Sequence, residues 1–531
     1  MFLNYLKTEF YDVLLNNRVL LLVGFDIDAL CACKILQSLL QCDNVLYTLV
    51  PVAGKSDLQE AFREHGDQVK YVVMINCGAT IDVVEFLQPK EETVFFIADR
   101  GGGLIYNEEQ VKLLMKPGDE EVPAFEDLFR DDESEEELSE DETGEHRPRI
   151  TEQILEKRRE RRLWEEKRHK IMFDYTQFSF FGQATALLMY ELAWKLSRDT
   201  NELLWWGIVG LTDQLQNNKI EQNKYVLEAG SLQGHVSRHN HSNESEEAIV
   251  SVNCMKISFD KELQLALYRH WSLIESLRNT TYTACKFKLW TLKGQKKLHE
   301  FLAELGLPIV QCKQKFSAMD MQLRTNVKVW IEDMSEKYGL EKIVYGSFIS
   351  HYGFQHKYCA TDVVFAVGAL LEAIDKEKTP ADKFLDALNA LSWSNINMLQ
   401  KGIEKVKSML VAIFAQVQSF LHMNHVISAG PFLYAVVQEG TVDIRYFSYP
   451  ASLLMLAQFL LSAHVASSKS RRARNLPLVL TSPLVEKPGY CLVVGIPPIS
   501  EESPKNFFGK AFEQAGEKTN SFVSQDVWDP A

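Results

Sequence analysis

The chain has 531 residues, too many for one ordinary core, so two or three domains are expected. Its 46% hydrophobic and 11% aromatic content is that of a globular protein, and a formal net charge of −15 argues against coating duplex DNA by bulk electrostatics while leaving room for local basic patches. Nine scattered cysteines without CxxC spacing read as reduced thiols of a cytosolic or nuclear protein.

The opening MFLNYLKTEFYDVLLNN carries Glu9 and Asp12 and no basic n-region, so it is not read as a signal peptide. Between residues 19 and 99 the apolar runs VLLLVGF, VLYTLV, YVVMIN and TVFFIA have the length and β-branched content of buried strands. Segments of helical length, such as DALCACKILQSLLQ and DLQEAFREH, separate them, which predicts βαβ crossovers and a parallel sheet. Cys31 and Cys33 fall on the first of these helices, where neighbours two apart diverge, so they are not read as a metal pair.

Asp26 and Asp28 end the first strand, Asn76 the third and Asp99 the fourth. Three strands thus aim oxygen-bearing side chains at the carboxyl edge of the sheet, where ligands of open α/β sheets collect. Clustered oxygens suit Mg²⁺ or Mn²⁺, and a pair of such ions drives phosphodiester hydrolysis. Alternatively, each aspartate caps the helix that follows it.

Residues 126–145, EDLFRDDESEEELSEDETGE, have no hydrophobic period and predict a solvated, disordered loop. Ser134 and Ser139 precede acidic runs there and are candidate sites for acid-directed kinases. The basic stretch that follows holds Lys157, Arg158, Arg159, Arg161 and Arg162, a candidate nuclear-import patch or equally a solvated helix face. LLWWGIVGL and ASLLMLAQFLLSAHVA are too short or too polar-interrupted to span a bilayer.

Residues 226–340 read as helical and amphipathic, with Trp271 and Trp290 either docking a partner or lying in the core. His235, His239 and His241 have metal-like spacing, but no cysteine or carboxylate completes a set, so they read as polar scaffolding. From about residue 341 a last α/β section includes DVVFAVGALLEAI, PFLYAVV, LPLVLTSP and YCLVVGIPPI. Arg471, Arg472 and Arg474 lie in a basic run within a predicted loop and are candidate phosphate contacts.

In chain order GFDIDALCACKIL, INCGAT, IADR and GIVGLTDQ resemble the motif blocks of the DHH phosphoesterase superfamily, the RecJ-like nucleases. FGQATALLMYELAWKL resembles the helix before the last block. The resemblance implies an α/β fold: a DHH/RecJ-like parallel sheet domain with a helical insert and a smaller C-terminal DHHA1-like α/β domain. The implied division is a sheet part at 1–120, an acidic loop at 121–148, a basic helix at 149–170, helices completing the first domain at 171–225, the insert at 226–340 and the last domain at 341–531.

The resemblance also assigns the family's metal-ligand positions to Asp26, Asp28, Asn76, Asp99 and Asp213. Departures from the pattern bear on the chemistry. Asn76 replaces an aspartate, Arg100 and Gly101 replace two histidines, and Gly24 and Phe25 supply no ligand. Two metals need several anionic ligands to offset their repulsion, so the five positions read as vestigial. No catalysis, metal or other cofactor is expected, and a metal-dependent single-strand exonuclease or phosphoesterase is the alternative.

DALCACKILQ, YTLVPVAG, VPAFEDLFRD, HVSRHNH, RHWSL, KFKLW, LPIVQCKQKF, ATDVVFA and GPFLY, spread over nearly the whole chain, resemble a catalytically silent eukaryotic branch, the cell-division-cycle-45 family. That likeness implies a nuclear, non-catalytic scaffold subunit of the replicative DNA helicase. Its implied partners are the MCM hexamer, the GINS tetramer, replication-initiation factors and replicative polymerases, with single-stranded DNA a further candidate and no membrane. YGSFISHYGFQHKYCATD stands where RecJ-like enzymes carry a nucleic-acid-contacting element. It offers Ser350, His351, Phe354 and Lys357 as candidate single-strand contacts, although His351 and Phe354 read equally as packing residues. Two stretches depart from the family: the block after Asp99 is compressed to DRGGGLIYN, and SFVSQDVWDPA stands where a further strand and closing helix are expected.

Overall fold

The computed structural model describes residues 5–79, 81–99, 101–102, 159, 162–164, 166–167, 180–245, 255–353, 356–375, 377–468, 471–499, 508–521, 523 and 528. These fall into two compact units, residues 101–182 forming one and the rest of the chain the other. In the smaller unit Gly101–Gly102 pairs antiparallel with Phe180–Phe181. The expected acidic loop, with Ser134 and Ser139, and the basic residues Lys157, Arg158 and Arg161 lie outside the described residues. Arg159 and Arg162 are helical and exposed.

The larger unit opens with β1 (Val19–Gly24), α1 (Ile27–Cys42), β2 (Tyr47–Val52), α2 (Lys55–His65), β3 (Tyr71–Ile75) and β4 (Val94–Ala98). The strands form one parallel sheet in the order β2-β1-β3-β4, as their alternation with helices predicts. Central β1 is buried along its whole length, which is why its sequence is an unbroken apolar run. Its alternate residues feed two cores, Val19, Leu21 and Val23 on one face and Leu20 and Leu22 on the other. Gly24 pairs with Val52 and Val23 with Ile75, so the strands finish level at one edge.

Two apolar helices, α3 (Thr185–Lys195) and α4 (Asn201–Gln216), pack against α1 and each other. Further on, β5 (Met255–Leu263), β6 (Val344–Tyr352) and β7 (His356–Cys359) make an antiparallel sheet. Here the structure departs from the helical reading of 226–340. Met255, Ile257 and Phe259 alternate with Lys256, Ser258 and Asp260, a period-two signal inside a mostly helical stretch, and β5 pairs with β6 across the expected boundary at 340/341. Trp290 is buried in the core and Trp271 packs half-buried against it.

From residue 360 onward the chain includes α5 (Ala360–Leu371), α6 (Pro380–Ala390), α7 (Ile396–His422), β8 (Ile427–Ser428), β9 (Leu433–Val436), α8 (Pro450–Ser467), β10 (Leu478–Pro483), β11 (Cys491–Ile496) and α9 (Phe508–Thr519). The strands β8-β9-β10-β11 form a mixed sheet in that order. Thr379 and Asp382 close a capping box at the start of α6. Helix α8 is long and apolar enough to cross a membrane, but its Leu453, Leu456, Phe459 and Leu460 are buried in the core.

Candidate functional site

The edge where the parallel strands finish holds the residues singled out by the sequence. Strand β1 ends at Gly24, where a Cβ would come within 2.7 Å of the Asn76 carbonyl oxygen. Only glycine fits so close an approach, so this position cannot carry a ligating side chain. Phe25 turns away to pack on Phe384 of α6, with ring centroids 5.6 Å apart.

The next two carboxylates do different work. Asp26 has extended backbone and caps its own helix, its Oδ1 accepting the Ala29 N–H at 2.8 Å. Asp28 lies in the first turn of α1, fully buried, and reaches a different helix. Its Oδ2 accepts the Thr185 N–H at 2.9 Å and its Oδ1 the Ala186 N–H at 2.9 Å. These are the first N–H groups of α3, so the Asp28 carboxylate occupies the anion-attracting end of that helix. Gly210 of α4 permits this approach, since a Cβ there would stand 2.7 Å from Asp28 Oδ1 and 2.5 Å from Ala186 Cβ.

Asn76 ties the two aspartates together. Its φ of 51° is in the left-handed region, which asparagine tolerates better than most residues. Its amide nitrogen donates to Asp26 Oδ1 at 3.1 Å and to Asp28 Oδ2 at 3.0 Å, while its oxygen accepts the Thr185 hydroxyl. The neighbours fix the amide orientation, because two carboxylates can only accept. An aspartate here would face them with like charge and no donor.

Asp213 on α4 is also buried, its Oδ1 accepting from the Asn217 amide at 2.8 Å. Burial pushes the Cys31 thiol well above its ordinary pKa, and Asp28, Asp213 and Asp26 push it further, which places all three around it. Burial likewise raises the Cys77 thiol, with half-buried Asp99 and then Asp26 adding to the effect. All five positions therefore share one neighbourhood, with Asp26, Asn76 and Asp28 in direct contact.

That neighbourhood does not fit a pair of divalent cations. Both oxygens of Asp28 are taken up by N–H donors, and Asn76 turns hydrogens, not lone pairs, toward the two carboxylates. Among the described residues no three His, Cys, Asp or Glu side chains converge to hold a metal ion.

Other sequence candidates are dispersed. Ser350 is fully buried in β6 and out of reach of a nucleic-acid strand, a correction to its reading as a contact. His351 is half-buried, its Nε2 3.2 Å from the Ser258 hydroxyl, and burial lowers its pKa with Lys357, Arg269 and Lys256 adding. Lys357 is exposed, and Phe354 lies outside the described residues. Arg474 is exposed in a short 3₁₀ turn that also includes Arg471 and Arg472, whose side chains are not among those described. His235 packs edge-on against Tyr190 and Trp194, and His239 approaches Asp199 at 3.0 Å.

A family model described as CDC45 matches residues 19–101 and 115–531. The human cell division control protein 45 homolog is 50% identical over 543 residues, spanning 100% of this chain and 96% of its own length. The chain belongs to the CDC45 family. It is accordingly a DNA-replication factor of the cell division cycle. The Schizosaccharomyces pombe homolog is 27% identical over 613 residues, covering 99% of this chain and 94% of the relative. A crystal structure of CDC45 from Entamoeba histolytica superposes with a TM-score of 0.68 at 22% identity, over 98% of this chain and 93% of that one, which shows the shared fold. RecJ from Thermus thermophilus in complex with Mn²⁺ matches with a TM-score of 0.36 at 11% identity, over 97% of this chain and 54% of that one, too distant to transfer a ligand set.

Sequence reasoning found the aspartates but missed their partners. Thr185 and Ala186 act through backbone N–H groups more than 150 residues away, and no side-chain pattern announces them. Gly210 and the Phe25–Phe384 pair carry only a packing signal, visible once the helices are placed.

Proposed function

We propose that this chain is a non-catalytic scaffold subunit of the eukaryotic replicative DNA helicase, assembled with the MCM hexamer and the GINS tetramer. It acts in the nucleus, at origin initiation and during fork progression, and it offers surfaces to initiation factors and replicative polymerases. One observation carries the reading: the Asp28 carboxylate is spent on the N-terminus of α3 and on the Asn76 amide. A hydrolase of the DHH type needs that oxygen pair for metal, and the fold has committed it to packing. The competing reading, a metal-dependent single-strand nuclease, requires an anion where Asn76 stands.

Single-stranded DNA is a further candidate ligand within this role. Lys256, His351 and Lys357 stand directly opposite one another across β5, β6 and β7. Burial holds the His351 pKa below its ordinary value, and the ammonium groups of Lys256 and Lys357 on either side of it offer two contacts to a phosphate backbone laid across the row. For import, Arg159 and Arg162 present exposed charge on a helix.

The scaffold role is tested by mixing the purified chain with MCM and GINS and recovering complexes by size. Stoichiometric co-elution with both is the expected result; a folded chain that joins neither would overturn it.

A further inference from the structure

A second set of buried charged groups collects away from the sheet edge, where the β5–β7 sheet meets α5 and α7. Glu262 in β5 is buried and accepts from the Tyr268 hydroxyl at 2.5 Å, from the Leu263 N–H at 3.0 Å and from the Arg269 guanidinium. Asp362, in the first turn of α5, is also buried, and its Oδ1 accepts the Leu267 N–H at 3.2 Å.

Its other oxygen is the unusual atom. Asp362 Oδ2 has no hydrogen-bond partner and lies 3.6 Å from His270 Nε2, which has none either. The His270 ring stacks on Tyr358 of β7 with centroids 5.2 Å apart. At 3.6 Å the two atoms are just beyond hydrogen-bond length, and a small rotamer adjustment closes the gap.

We propose that Asp362 and His270 hold one proton between them, a protonated carboxyl facing a neutral imidazole, and that the pair closes into an O–H···N hydrogen bond latching the loop after β5 to α5. The groups around it are Arg269, Glu262 and Tyr268 on β5 and its loop, Cys359 on β7, and Lys407 and Glu404 on α7. Burial pushes the Asp362 carboxyl up to about 7, with Arg269 opposing and Glu262 adding. Burial also lowers His270 to about 4, with Lys407 and Arg269 adding and Glu404 opposing. When the region unfolds, the O–H bond of Asp362 breaks and an N–H bond forms on His270, with solvent relaying the proton and no net uptake.

The two residues therefore make opposite contributions to stability over the same pH window. The folded pKa of Asp362 is raised, so its stabilising contribution is full below about pH 4 and is lost as pH rises through about 7. His270 is depressed, so its contribution is full above about pH 6.5 and is lost as pH falls toward about 4. Together they cancel, and the latch holds the fold steady across that range.

The test is the melting temperature of the full chain against pH for wild type, Asp362→Asn and His270→Gln. Asp362→Asn, whose amide N–H still faces Nε2, should melt at or above wild type near about pH 8 and lose ground as pH falls from about 6.5 to 4. His270→Gln should lose ground in the opposite direction, as pH rises from about 4 to 7. Deficits of the same sign in both variants, largest near about pH 5–6, would mark an ordinary ion pair and overturn the proposal, as would constant offsets. Should His270→Gln fail to fold, an NMR titration of His270 in the wild-type chain decides: a neutral ring down to about pH 5 supports the pair, and titration near the ordinary value of about 6.5 refutes it.

Discussion

Asn76 is the residue on which the chemistry of the sheet edge turns. Its amide nitrogen serves both Asp26 and Asp28, and its oxygen takes the Thr185 hydroxyl. Replacing it with aspartate keeps the shape and exchanges two donated hydrogens for a third negative charge. Asn76→Asp is expected to cost roughly 3 kcal/mol at neutral pH, since it leaves buried carboxylates facing one another. The new carboxyl would have a raised folded pKa, so the deficit should shrink as pH falls toward about 5. Thermal melts of the variant at several pH values check this, and a neutral or stabilising effect near neutral pH would mean that the amide is incidental. The sequence already showed Asp26, Asp28 and Asn76 at strand ends, because period and strand length fix where a strand stops. The strand-end pattern alone allowed metal binding or helix capping, and the departures from the family pattern favoured a vestigial site. The deciding partners are backbone groups of α3, and backbone groups leave no trace in residue identity.

At the scale of elements, the parallel sheet and its helices were legible because buried parallel strands are continuous apolar runs and the helices between them have a different period. Strand β5 was hidden among helices, and its alternation of Met255, Ile257 and Phe259 is too short to stand out against its surroundings. With it was hidden the basic row, which exists only through the register that sets Lys256 opposite His351 and His351 opposite Lys357. Reversing the two exposed charges, Lys256→Glu with Lys357→Glu, should lower affinity for single-stranded DNA by about tenfold or more and flatten its salt dependence by about two phosphate contacts. Both residues are exposed, so the melting temperature should hold. Unchanged affinity in a folded double variant would remove this row from the DNA path.

For the whole molecule, the CDC45 family match covers residues 19–101 and 115–531, and the carboxyl edge of the sheet is filled from within the chain. Phe384 packs on Phe25, the N-terminus of α3 closes on Asp28, and the Trp528 indole donates to the Val52 carbonyl at the end of β2. An edge so occupied suits a rigid platform for other subunits better than a cleft that opens and closes on a substrate. The most direct measurement is a Mn²⁺ titration of the intact chain, followed by melting temperature and by release of nucleotides from single-stranded DNA. The expected result is no saturable rise in melting temperature and no release, because the carboxylates are already committed to the fold. A saturable rise accompanied by hydrolysis, abolished by Asp26→Asn, would contradict the scaffold role and make the nuclease reading the correct one.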